Sequence, residues 1–262
     1  MTKKEVNMKK LTMILVLASL TGCIKTINTP STTDGSSRTN GTYTVVVGVE
    51  NGYAGECIGS LKDCSSMTSL LKDYSTTLVS LSDKTATRTA VVNALSKGVN
   101  APLLIFYYSG HGGSAVSYMD NTEADGMDEY LCCFDGPLMD NDIWKIISKS
   151  KGRVFLIFDC CHSGTAWKSP MKLGGKSPLL SATTHASGSL SMLCWSGCPD
   201  SSFSYGDERG GELTKSLLRN LKKAKTYNQL WNLIEADKDL QEFEEVQRTI
   251  MGADFGDQKV FQ

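Results

Sequence analysis

Two short segments hold the side chains best suited to chemistry. The run LLIFYY leads into Ser109-Gly110-His111-Gly112-Gly113, and the run VFLIF leads into Asp159-Cys160-Cys161-His162-Ser163-Gly164. A thiol with an ordinary pKa near ~8.5 becomes a competent nucleophile near neutral pH only beside a base or a cation. The chain has 3 histidines to offer. His162 adjoins Cys161, and successive side chains of extended backbone point to opposite faces. His185 lies in a Ser/Thr/Ala/Gly segment with no strand to aim it. His111 is therefore the best partner for Cys161, and the glycines around both residues let another backbone come close.

The surrounding pattern can position these groups. From residue 43 onward, apolar runs of strand length alternate with helical periodicities. Strands are expected at residues 43–49, 77–81, 103–109, 154–159 and 190–195, with an edge strand at 259–262. Helices are expected at residues 57–74, 87–99, 139–148, 214–224 and 228–243. Such alternation predicts an α/β domain with a mainly parallel sheet and helices on both faces. In open sheets of this kind functional groups gather beyond the carboxyl ends of the strands. If the two apolar runs are neighbouring strands, His111 and Cys161 meet at one sheet edge.

YYSGHGG and FDCCHSG resemble the two catalytic motifs of metacaspases and bacterial orthocaspases, within the caspase-like cysteine peptidases. The 50-residue interval between His111 and Cys161 matches the order and spacing of that group;. The Gln-Ala-Cys form of animal caspases is absent, and in the metacaspase form the Cys preceding His-Ser-Gly attacks, which selects Cys161 over Cys160. The resemblance runs from about residue 43 to the C-terminus. It includes Trp195-Ser196-Gly197-Cys198 and Gly210-Gly211-Glu212-Leu213-Thr214. It implies a caspase-like three-layer sandwich around a mainly parallel six-stranded sheet. The implied activity is endopeptidase cleavage through a Cys161/His111 dyad and a thioester acyl-enzyme, with the N–H groups of Gly112 and Cys161 as the oxyanion site.

The same resemblance assigns Asp63, Ser109 and Asp159 to a substrate pocket, whose acids would favour Arg or Lys at the cleavage position. Protein or peptide substrates with basic residues are the implied partners. Asp125, Asp128, Asp140 and Asp142 lie in an acidic stretch where many metacaspases bind calcium, and oxygen ligands suit that ion. A solvated loop and an acidic helix N-terminus account for them equally well. Lys168 stands where the family often carries another Asp, which argues against calcium. The dyad itself requires no cofactor.

Charge and composition exclude other classes. A net charge of −1 gives no electrostatic basis for nucleic-acid binding;. Neither G-x-G-x-x-G nor G-x-x-x-x-G-K-[ST] occurs;. The 9 cysteines include two vicinal pairs and no C-x-x-C, which fits neither a disulfide framework nor a zinc site;. A clostripain-like or legumain-like peptidase shares the Cys/His logic but not the Cys-His-Ser-Gly motif. A tethered caspase-like pseudoenzyme acting as a binding module is the non-enzymatic alternative, and retention of both His111 and Cys161 speaks against it.

The N-terminus reads as an export signal. Lys9 and Lys10 precede the apolar run LTMILVLASL, and Leu20-Thr21-Gly22-Cys23 resembles the lipobox of bacterial lipoproteins;. The resemblance implies lipidation at Cys23 and anchoring to a bacterial cell membrane, in the periplasm or at the cell surface. Residues 1–23 are then the signal, 24–42 a flexible linker too polar to fold alone, and 43–262 the peptidase-like domain.

Overall fold

The computed structural model describes residues 25–28, 41–116, 127–160, 190–197, 206–242 and 246–261. In chain order the strands are β1 (Lys25–Asn28), β2 (Thr42–Gly48), β3 (Asn51–Gly52), β4 (Gly55–Glu56), β5 (Thr77–Ser82), β6 (Leu103–Ser109), β7 (Gly112–Val116), β8 (Met127–Cys133), β9 (Gly136–Met139), β10 (Arg153–Asp159), β11 (Ser191–Ser196), β12 (Gly206–Asp207), β13 (Gly210–Gly211) and β14 (Gln247–Met251). The helices are α1 (Ser60–Leu71), α2 (Arg88–Gly98), α3 (Asp140–Ile147), α4 (Glu212–Asn220), α5 (Tyr227–Glu235) and α6 (Lys238–Gln241).

A 7-stranded sheet in the order β1-β5-β2-β6-β10-β11-β14 forms the middle layer. Its five inner strands are parallel, and β1 and β14 close the two edges antiparallel. The inner strands are apolar runs because both faces are covered. On one face Val45, Phe106, Leu156 and Cys194 pack with α2, α3 and the small sheet β7-β8-β9. On the other, Val46, Ile105, Phe155 and Trp195 pack with α1, α4 and α5. The second face includes an aromatic cluster in which Phe155 meets Trp195 and Tyr227 edge-on;.

Two expectations are corrected, and the sheet gains a strand: Lys25–Asn28 pairs antiparallel with β5 as a seventh beside the six expected. The terminal strand expected at residues 259–262 is only an isolated bridge from Lys259 to Thr226, and Gln247–Met251 takes the edge instead. The single helix expected over 228–243 divides after Glu235, where the Asp237 side chain accepts from the Asp239 N–H and caps a new short helix;.

Candidate active site

Gly48, Ser109 and Asp159 end β2, β6 and β10, and they stand in register across three adjacent parallel strands. Gly48 is needed for close approach: a Cβ there would lie 2.5 Å from Cys64 Cβ and 2.6 Å from the Ser60 carbonyl. Its absence lets α1 lie against the strand end. The turn into α1 uses Gly59 at φ 93°;. The Glu50 carboxylate accepts from the Gly59 and Leu61 N–H groups and so caps the helix;. Seated this way, α1 carries Asp63 over the ends of β6 and β10.

Asp63 and Asp159 are only 2% and 5% exposed. Asp63 Oδ2 accepts from Ser109 Oγ at 2.8 Å and from the Gly211 N–H at 2.9 Å. Asp159 Oδ2 accepts from the Thr214 N–H at 2.8 Å and from Thr214 Oγ1 at 2.6 Å. Burial and the Asp159 carboxylate push the Asp63 carboxyl up to about 8, against the opposing pull of the Gly211 amide, the Ser109 hydroxyl and Lys215;. The β12-β13 turn lies directly on the pair. A Cβ on Gly210 would come within 2.0 Å of Asp63 Oδ1, and one on Gly211 within 2.3 Å of Asp159 Oδ2.

His111 follows β6 after a single glycine, Gly110, and is half-buried. Its Nε2 lies 2.9 Å from the Glu56 carbonyl oxygen. Its own carbonyl accepts from the Cys132 N–H at 2.9 Å and the Tyr108 hydroxyl at 2.7 Å. The segment carrying Glu56 is held in turn by Asp83, which accepts from the Glu50 and Asn51 N–H groups. Gly110 must lack a side chain, since a Cβ would sit 2.5 Å from Tyr108 Oη. Gly112 opens β7 opposite Leu131.

The structure therefore brings Asp63, Ser109 and Asp159 into one cluster, one residue along β6 from the turn that presents His111. Cys161, Cys23, Asp125 and Lys168 lie outside the described residues. Of the remaining acids, Asp128 accepts from Asn141 Nδ2 at 3.3 Å, and Asp140 is fully buried and accepts from the Asn141 N–H at 2.7 Å. Asp142 is exposed in the first turn of α3. Among the described residues no group of three or more His, Cys, Asp or Glu is arranged to hold a metal ion. Burial pushes the Cys133 thiol up to about 12 and raises Cys64 as well, so both are packing residues rather than nucleophiles;.

Two contributors escaped sequence reasoning. The Glu56 carbonyl has no residue-type signature, being a backbone acceptor. Thr214 was visible only inside Gly-Gly-Glu-Leu-Thr, as the start of the helix expected over 214–224; the structure begins that helix at Glu212, so Thr214 is its third residue and its side chain and amide act together;.

The matched family model agrees with this geometry: a caspase domain of the C14 peptidases aligns to residues 42–250. The chain belongs to the caspase-domain family. Metacaspase-1 of Botryotinia fuckeliana is 34% identical over 146 residues, covering 52% of this chain and 32% of the relative. Metacaspase-1 of Candida glabrata is 42% identical over 74 residues, covering 26% of this chain and 19% of the relative. The chain thus matches between a fifth and a third of the length of these two relatives. Among solved structures, a Geobacter sulfurreducens protein superposes with a TM-score of 0.66 at 24% identity, over 85% of this chain and 98% of its own. Caspase-1 from Spodoptera frugiperda superposes with a TM-score of 0.54 at 12% identity, over 82% and 88%. These two similarities establish the caspase fold.

Proposed function

We propose that this chain is a cysteine endopeptidase that cuts after Arg or Lys, with Cys161 as nucleophile and His111 as acid–base partner. The observation that carries the specificity is the buried pair Asp63 and Asp159, beside the strand end that presents His111. Two acids brought together at adjoining strand ends attract a cation, and a guanidinium or ammonium from a substrate is the group that would answer them. Family membership supports the Cys/His chemistry.

In the proposed reaction the Cys161 thiolate attacks the carbonyl carbon of the scissile bond. The N–H groups of Gly112 and Cys161 receive the developing oxyanion. His111 gives a proton to the leaving amine as the C–N bond breaks, and a thioester remains. Water then passes a proton to His111 and attacks the thioester, releasing the acid and restoring the thiolate. With Nε2–H donated to the Glu56 carbonyl, His111 Nδ1 is the nitrogen that exchanges this proton. The carbonyl fixes the ring and its tautomer, as a third group does in other nucleophile–base pairs.

The proposal extends to the N-terminus. Lipidation at Cys23 would anchor the enzyme to a membrane, and Cys23→Ser should release it from the membrane fraction. Among the described residues no helix is long and apolar enough to cross a membrane.

The deciding experiment is a fluorogenic peptide scan at the cleavage position, with Cys161→Ala and His111→Ala as controls. Arg and Lys peptides should be cleaved, each control should be inactive, and the two losses should not multiply because the residues act as a unit. Efficient cleavage after Asp with little after Arg would refute the specificity. An active Cys161→Ala beside an inactive Cys160→Ala would refute the nucleophile.

A further inference from the structure

The first turn of α4 reaches both acids. The Gly211 N–H donates to Asp63 and, three residues on, the Thr214 N–H donates to Asp159. Thr214 adds its hydroxyl to the same Asp159 oxygen at 2.6 Å. With that proton committed, Thr214 Oγ1 accepts from the Tyr107 hydroxyl, also at 2.6 Å. The result is a relay from β6 through α4 to the end of β10, with Tyr107 at 0%, Thr214 at 1% and Asp159 at 5% exposure.

Leu213 and Leu217 of the same helix are core residues, while its buried polar residues Ser216 and Asn220 bond to each other and to Asp237 rather than to this relay. A buried hydroxyl chain there carries a desolvation cost that an apolar residue would avoid. What the chain supplies is direction: two donors on one oxygen fix the rotation of the Asp159 carboxylate and so the heading of its other oxygen. Ser109 and Gly211 do the same for Asp63.

We propose that Thr214 is a positioning residue for cation recognition, aiming Asp159 at the basic side chain of the substrate, with Tyr107 holding Thr214 in its rotamer. The inference rests on the reading of Asp63 and Asp159 as the pocket for Arg or Lys. It makes the Gly210–Thr214 segment a second determinant of specificity, on a different element from the acids themselves.

The test uses the full-length enzyme with Thr214→Val, Thr214→Ser and Tyr107→Phe, and matched fluorogenic peptides carrying Arg, Lys or Gln at the cleavage position. Losing a hydrogen bond to a charged group typically weakens binding by about 10- to 100-fold, so Thr214→Val should raise KM for Arg by at least about 10-fold. Its kcat should stay within about 3-fold, since the reacting atoms are untouched. Thr214→Ser retains both donors and should stay near wild type, and Tyr107→Phe should raise KM by about 2- to 5-fold through loss of one neutral hydrogen bond. A purely structural role would instead lower kcat equally on all substrates through a smaller active fraction, with KM for Arg unchanged, and that result overturns the inference. Should Thr214→Val fail to fold, Tyr107→Phe decides, and an unchanged KM for Arg then overturns it. A wild type without preference for basic residues overturns the pocket assignment and this inference together. A wild type with that preference, left intact by Thr214→Val, overturns this inference alone.

Discussion

Replacing Asp63 with asparagine should stabilise the fold at neutral pH while weakening the response to a basic substrate. The Asp63 carboxyl is lifted from 3.8 to about 8 by burial and by its Asp159 neighbour. Between those two values the folded chain holds a proton that the unfolded chain has released, so stability falls as pH rises through the window. Each tenfold difference in proton affinity is worth about 1.4 kcal/mol, which sets a ceiling near 4 kcal/mol for the stability forfeited at pH 7. Asparagine should recover part of that ceiling, on the order of 2 kcal/mol. Asparagine keeps an acceptor for Ser109 and Gly211 and presents an amide to Asp159, without the ionisation that opposes folding.

The assay is differential scanning calorimetry of Asp63→Asn and its parent, both carrying Cys161→Ala to prevent self-cleavage. For a domain of this size about 1 kcal/mol moves Tm by about 2–4 °C, so Asp63→Asn should melt about 4–8 °C higher at pH 7. The gap should shrink as pH falls toward 4, where the parent also folds with its acid protonated at no cost. With Cys161 restored, KM for Arg peptides should rise by about 10-fold or more, because a carboxyl able to ionise against an arriving guanidinium is replaced by an amide that cannot. A Tm difference that is flat with pH, or an Asp63→Asn protein that melts lower throughout, would refute the argument.

Tyr227→Phe removes the hydroxyl oxygen that accepts from the buried Phe261 N–H at 2.9 Å. The orphaned N–H should cost about 1–3 kcal/mol, read by calorimetry as a lower Tm with kinetics unchanged in the native fraction. For calcium, we expect wild-type activity to be nearly indifferent to chelator and to millimolar added ion, since the metacaspase resemblance puts Lys168 at a sequence position where an Asp is expected. Lys168→Asp should introduce calcium sensitivity, and strong calcium activation of the wild type would refute this account.

The inner strands were legible in the sequence because strands buried on both faces must be apolar throughout, as LLIFYY and VFLIF are;. The edges were not. Gln247–Met251 is half-buried and rich in polar side chains, so its strand character comes from pairing with β11 rather than from its own pattern;. The small sheet β7-β8-β9 was missed for a different reason. Asp128 and Glu129 in β8 belong to a sequence that reads as an acidic metal loop, yet both side chains are buried. At the candidate site, residue types pointed to His111, and the family resemblance pointed to Asp63, Ser109 and Asp159. The groups that orient them are a carbonyl, two amides and two hydroxyls on other elements, and only the fold brings those into range.

The acid pair depends most on residues that carry no side chain. Asp63 reaches Ser109 because α1 lies against β2, and α1 lies there because Gly48 leaves room for Cys64 and the Ser60 carbonyl. Asp63 and Asp159 meet the first turn of α4 because Gly210 and Gly211 let backbone pass where any Cβ would strike a carboxylate oxygen. A methyl at these positions would add no charge and remove no hydrogen-bonding group, yet it would move the donors off both acids. Specificity of the kind proposed is therefore set by how closely three backbones approach one another, with the carboxylates supplying charge and the glycines supplying its placement.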